Sequence, residues 1–184
     1  MSPAKPIALI FTLWACSATA ATLQQLSLDQ MTQDATTIVR ARVTGSSAAL
    51  SGATIYTHYK LLVSETWKGS ATPEVMIPGG VANGYRQSFP GVPALQTGAE
   101  YVLFLWKSPT TGITHVVGLS QGILNVTQQP GGSFYVSRPV IGETMLDAYG
   151  HPVRDQAVGM PLSDLKTRVS QTLASQTQVT GAAK

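Results

Sequence analysis

The chain has 184 residues, of which 43% are hydrophobic and only 11% charged, and a formal net charge of +3. That length suits one domain with a real core, and the sparse charge excludes a disordered tail protein and a salt-bridged helical bundle. So small a surplus of positive charge, with no basic run, also excludes a nucleic-acid-binding surface.

The first residues, Met1-Ser2-Pro3-Ala4-Lys5-Pro6, lead into an apolar run from Ile7 to Ala15 and then to small residues at Ala18-Thr19-Ala20. A short basic region, an apolar stretch and small residues form a secretory signal peptide over residues 1–20. Its loss removes Lys5 and no acid, leaving a charge of +2. The apolar run is well short of the roughly 20 residues that span a bilayer, and no later segment is more apolar, so the mature chain is expected to have no transmembrane helix. A second reading stays open. Leu13-Trp14-Ala15-Cys16 is similar to the lipobox of bacterial lipoproteins, with Cys16 as the acylated residue of a lipid-anchored envelope component, although Trp14 departs from that pattern. Cys16 is the single cysteine, so neither reading leaves a disulfide or a thiol catalyst. The expected location is the periplasm or the cell exterior.

Ser27, followed three residues later by Gln30, is a capping box, and Leu28, Met31 and Ala35 recur at helical spacing. A short helix is predicted from 28 to about 34. From Thr36 to Gly45 the period changes to two, with Arg40 and Arg42 on a wet face. Ser46 to Gly52 reads as a small-residue turn. Ala53 to Trp67 is a second, long strand with Ile55, Thr57, Tyr59, Leu61 and Val63 on one face. Glu74 to Pro78 is a short third strand. In the segment 79–96, glycine and proline break every regular period. Tyr101-Val102-Leu103-Phe104-Leu105-Trp106 is apolar on both faces and is predicted to be the most buried strand. Thr114 to Leu119 and Ile123 to Thr127 follow, and Pro130-Gly131-Gly132 turns into Ser133 to Ser137. After a turn at Asp147 to Gly150, a last helix starts at Pro161-Leu162-Ser163-Asp164, capped by Ser163, with Leu165, Val169 and Leu173 as its apolar stripe. Residues 177–184 are small and polar and are expected to fray. The sum is a mainly β single domain over 21–176: a small closed or partly open barrel of about six strands, OB-like, with a short N-terminal and a C-terminal helix.

Gly118-Leu119-Ser120-Gln121-Gly122 has the form G-x-S-x-G. A nucleophile elbow needs a strand before the serine and a helix directly after it. Here Gly122, Val126, Thr127 and Pro130 disfavour that helix. Ser120, Asp147 and His151 do stand in hydrolase order, but within 32 residues there is no room for the parallel sheet that positions such a triad. Ser120 is therefore read as a corner where a strand bends, with a small serine hydrolase as the alternative. His58, His115 and His151 are scattered and match no metal-site spacing, and no cofactor motif is present. Trp67, Tyr101, Phe104 and Trp106 read as core. Tyr85, Arg86, Gln87 and Phe89 sit in the long glycine- and proline-rich segment, where a partner-binding surface is expected.

Several stretches resemble a group of uncharacterised exported bacterial proteins: Asp34 to Val43, Tyr56-Thr57, Glu65-Thr66-Trp67-Lys68-Gly69, Pro78-Gly79-Gly80, Phe89-Pro90-Gly91-Val92-Pro93, Gly98 to Leu105, and Val117 to Gly122. The resemblance covers about residues 30 to 130. It implies an OB-type barrel, distantly similar in layout to netrin-like and metalloproteinase-inhibitor domains, and it carries no known activity. It also implies that Gly118 to Gly122 travels with the barrel rather than with an esterase. The reading that follows is an exported, non-enzymatic domain that binds a protein or envelope partner through residues 79–96.

Overall fold

The computed structural model describes residues 22–182. The signal peptide expected over 1–20, and with it Cys16, lies outside the described residues. The elements in chain order are β1 (Thr22–Gln24), α1 (Leu28–Asp34), β2 (Thr37–Ser51), β3 (Thr54–Lys68), β4 (Glu74–Pro78), β5 (Gly80–Ala82), β6 (Tyr85–Gln87), β7 (Glu100–Lys107), β8 (Thr114–Val116), a 3₁₀ turn (Leu119–Gly122), β9 (Ile123–Gln128), β10 (Phe134–Arg138), β11 (Thr144–Leu146), β12 (Pro152–Val153), β13 (Val158–Pro161) and α2 (Leu162–Ala182). The chain is mainly β.

The main sheet runs β13-β10-β9-β7-β2-β3-β4, with β8 also paired to β7. Its heart is β7, whose residues alternate between two cores. Val102 and Phe104 join Leu28, Met31, Ile38, Leu124, Leu165 and Val169 under the helices. Tyr101, Leu103 and Leu105 join Val39, Val43, Tyr59, Val75 and Ile77 inside the curl of the sheet. A strand apolar on both faces is what a sheet covered on both sides requires.

The curl has a local cause. Register shifts between Ile38 and Val39, Arg40 and Ala41, and Val43 and Gly45 bend the β2–β3 hairpin. The bend brings β4 close to β8, but no ladder joins them. The sheet is thus not closed into a hydrogen-bonded barrel: β4, β8 and β13 each keep an unpaired edge. A small three-stranded sheet (β1-β11-β12) and the β5–β6 hairpin complete the strands.

Helix α1 starts as expected, with Ser27 Oγ accepting from Gln30 N and Gln30 Oε1 from Ser27 N. Helix α2 lays Leu162, Leu165 and Val169 on the core. Asp29 ties the two helices together through Arg168 and Thr172. Glu65 on β3 receives Lys166 of α2 at 2.6 Å and Arg40 of β2 at 3.1 Å. Arg40 also reaches Glu100 and stacks over Phe134 at 4.1 Å, so its position is not a wet one.

Several local expectations need correction. Ser46 to Ser51 is strand, and the reversal is confined to Gly52 and Ala53, because β3 supplies a full ladder of partners. The small residues there suit close approach: a side chain on Gly80 would meet Thr57 Oγ1 and the Ala48 Cβ. Ser163 does not cap α2 but lies in its first turn, because β13 runs straight into the helix at Leu162. Trp106, near the end of β7, is 41% exposed rather than core. The interior of the 79–87 stretch is regular: Asn83 (φ 53) and Gly84 (φ 79) form the two-residue turn of a β-hairpin.

Candidate functional site

The G-x-S-x-G stretch sits where an interrupted strand runs along β7. β8 pairs with Leu105–Lys107, β9 pairs with Glu100–Leu103, and the 3₁₀ turn separates them. The backbone there is not continuously extended, as a bent strand would be, nor does it enter an α-helix. The two glycines and the glutamine of the motif each have a visible task. Gly118 is left-handed (φ 61), and a Cβ on it would lie 2.9 Å from Leu26 Cδ1. A Cβ on Gly122 would lie 2.5 Å from the Val117 carbonyl oxygen. Gln121 is fully buried; its Oε1 accepts from Leu26 N at 2.8 Å, and its Nε2 donates to Gln24 O at 2.9 Å and to Gly118 O at 3.3 Å. One side chain thereby stitches the N-terminal segment to the main sheet.

Ser120 Oγ is enclosed and has no hydrogen-bond partner among the described residues. Asp147 and His151 are brought together in the β11–β12 turn, with His151 Nδ1 3.2 Å from Asp147 Oδ2. Backbone N–H groups of His151 and Tyr149 donate to the same carboxylate and hold its pKa below the usual range. The Asp147–His151 pair is a turn-closing device with the imidazole largely in solvent, and no hydrogen bond connects it to Ser120. His58 meets Glu74 across the β3–β4 pair at 2.8 Å. Among the described residues, no group of three or more His, Cys, Asp or Glu is placed to hold a metal ion. Nor is any described helix long and apolar enough to cross a membrane.

The residues singled out in 79–96 divide into two roles. Gln87 faces inward: its Oε1 accepts from Ile55 N at 2.6 Å and its Nε2 donates to Ala53 O at 2.8 Å, pinning the hairpin to the start of β3. Tyr85 is 73% and Phe89 41% exposed, and Arg86 is exposed beside them, across the ladder from the exposed Val81. Beyond Phe89 the segment turns back over the open end of the curled sheet, where Leu95 is buried and Gln96 N donates to the Tyr101 hydroxyl. The hairpin itself was legible from Asn83-Gly84, a strong turn signal in any strand-forming context. Gln121 and His115 carried no such signal, since a lone Gln or His says nothing of what it will touch.

No protein-family model matches the chain, and no curated protein shows significant similarity to it.

Proposed function

We propose that the chain is an exported, non-enzymatic binding domain that holds a protein or cell-envelope partner on the β5–β6 hairpin and the residues after it. The observation that carries this reading is the division of labour just described. Gln87 anchors a short, two-stranded platform, and the platform offers Tyr85, Arg86, Val81 and Phe89 to solvent. Tyrosine and arginine dominate the energetics of interfaces, and large apolar side chains left exposed together are the usual mark of one. Export rests on the leader pattern of residues 1–20. The OB-like layout belongs to the same proposal: what supports it is the strand path β4-β3-β2-β7-β8 with β4 brought near β8 across an unpaired seam.

The test is capture of partners from the producing culture by wild type and by the triple variant Tyr85→Ala, Arg86→Ala, Phe89→Ala. The variant is expected to lose capture while its thermal midpoint stays within about 4 °C, because exposed substitutions each cost under about 0.5 kcal/mol. Undiminished capture, or a midpoint lowered by far more than that, would remove the hairpin from the interface.

A further inference from the structure

The seam between β4 and β8 is not empty of design. It holds a cavity of about 280 Å³ whose walls include Met76 and Ile77 of β4, Val92 and Pro93 of the following segment, His115 of β8 and Leu119 of the 3₁₀ turn. No lining side chain carries a formal charge, and the imidazole of His115 is the sole ionisable group among them. Burial pushes the His115 pKa down, so the ring is neutral at ordinary pH. It stacks on Trp106 (centroids 6.3 Å apart, 23° between planes) and lies 6.4 Å from the Tyr56 ring. Neither of its nitrogens has a hydrogen-bond partner among the described residues, and neither is sealed from solvent, so the ring is free to bond a molecule entering the cavity.

Leu119 supplies a second, independent observation. It has φ 56, a left-handed backbone that costs a β-carbon-bearing residue free energy and persists only where the surroundings hold it. Gln121 and Gly118 hold it, and the outcome is a leucine side chain in the cavity wall.

We propose that this seam binds a small uncharged amphiphile: an apolar body with one hydrogen-bonding head that pairs with His115. Size follows from volume. A cavity of about 150 Å³ holds benzene, so this one accommodates about eleven non-hydrogen atoms. Charge follows from the lining, because an ion there would be buried without a counter-charge. The phenols and medium-chain alcohols are the chemical class that fits. The site is distinct from the exposed hairpin residues and does not depend on the partner-binding reading.

The probes are 4-ethylphenol, ethylbenzene and 4-ethylbenzoate, titrated into ¹⁵N-labelled protein and read from amide shifts. Expected are saturable shifts at residues 76–78 and 115–119 with 4-ethylphenol and ethylbenzene, and none with 4-ethylbenzoate. His115→Phe keeps the stacking and removes the hydrogen bond. It is expected to weaken 4-ethylphenol about tenfold and ethylbenzene less than about threefold, one hydrogen bond to a neutral partner being worth about that factor. Met76→Trp, which fills the cavity, is expected to abolish both. If Met76→Trp fails to fold, the selective effect of His115→Phe still decides. Absence of saturation, binding of the benzoate as tight as the phenol, equal weakening of phenol and ethylbenzene in His115→Phe, or unchanged binding in a folded Met76→Trp protein would each overturn the proposal. Unaltered titration of the hairpin triple variant is expected, which separates failure here from failure of the interface.

Discussion

Replacing Gln121 by alanine tests the explanation of the G-x-S-x-G stretch most directly. The side chain makes bonds of 2.8, 2.9 and 3.3 Å to Leu26 N, Gln24 O and Gly118 O, and it is 1% exposed. Its removal leaves the Leu26 donor and the Gln24 acceptor unpaired. Leu26 is half-buried, so the low end of the penalty applies to its donor, about 1 kcal/mol, whereas Gln24 is exposed and its carbonyl can bond water instead. The void left behind adds about 1–2 kcal/mol. The expected loss is about 2–3 kcal/mol, or about 8 °C in thermal midpoint for a domain of this size. Gln121→Glu sharpens the test. Its carboxylate can still accept from Leu26 N but then faces two carbonyl oxygens in a buried place, so its folded pKa is raised. The penalty therefore grows as pH rises above about 4.3 and shrinks below it, where the protonated acid can donate as the amide does. Urea unfolding at about pH 7 and about pH 4 measures both effects. A Gln121→Ala protein within about 0.5 kcal/mol of wild type would refute the claim that this residue locks the turn.

Ser120→Ala removes an enclosed hydroxyl without a partner, so stability should rise by up to about 1 kcal/mol; a fall in the urea midpoint, or loss of a genuine esterase activity, would contradict that. Gln87→Ala should lower stability by about 1–2 kcal/mol by freeing the hairpin from Ile55 N and Ala53 O, in contrast to the near-neutral changes at Tyr85 and Arg86. Lys166, then Trp67 and Arg40, outweigh burial to hold the Glu65 carboxyl at about 2 rather than 4.5. Because the folded pKa is the lower one, the stability this group contributes is complete above about pH 4.5 and is lost as pH falls toward 2. Lys166→Met should flatten the acid limb of the stability curve in that window and leave its slope above about pH 5 unchanged, as read by urea unfolding across the range.

What could be read from the residues alone was whatever short-range chemistry decides. The capping box at Ser27 and Gln30, the two-sided burial of Tyr101 to Leu105, the alternation from Ile55 to Leu61 and the Gly131-Gly132 reversal are each set by neighbours within a few positions. Where the sequence misled, a distant partner had the deciding vote. Ser46 to Ser51 has turn composition but becomes strand because β3 lies alongside it and Gly80 packs on Ala48. Trp106 is as apolar as its neighbours, yet near the end of the strand it is 41% exposed and its ring finds His115 of β8, a partner no local pattern announces. The G-x-S-x-G stretch, read as a corner of a bent strand, is instead a 3₁₀ turn, because Gln121 is bonded to Leu26 and Gln24, residues some 95 positions away. Two glycines that suit the space and backbone angle, and a glutamine that supplies its amide, will spell a hydrolase motif whenever a serine happens to precede the glutamine. The discriminating residue is then not the serine but the one after it: a fully buried glutamine bonded at both ends has no counterpart in the requirements of a nucleophile, and it has an evident one in a chain whose N-terminal segment must be tied to its sheet without a disulfide.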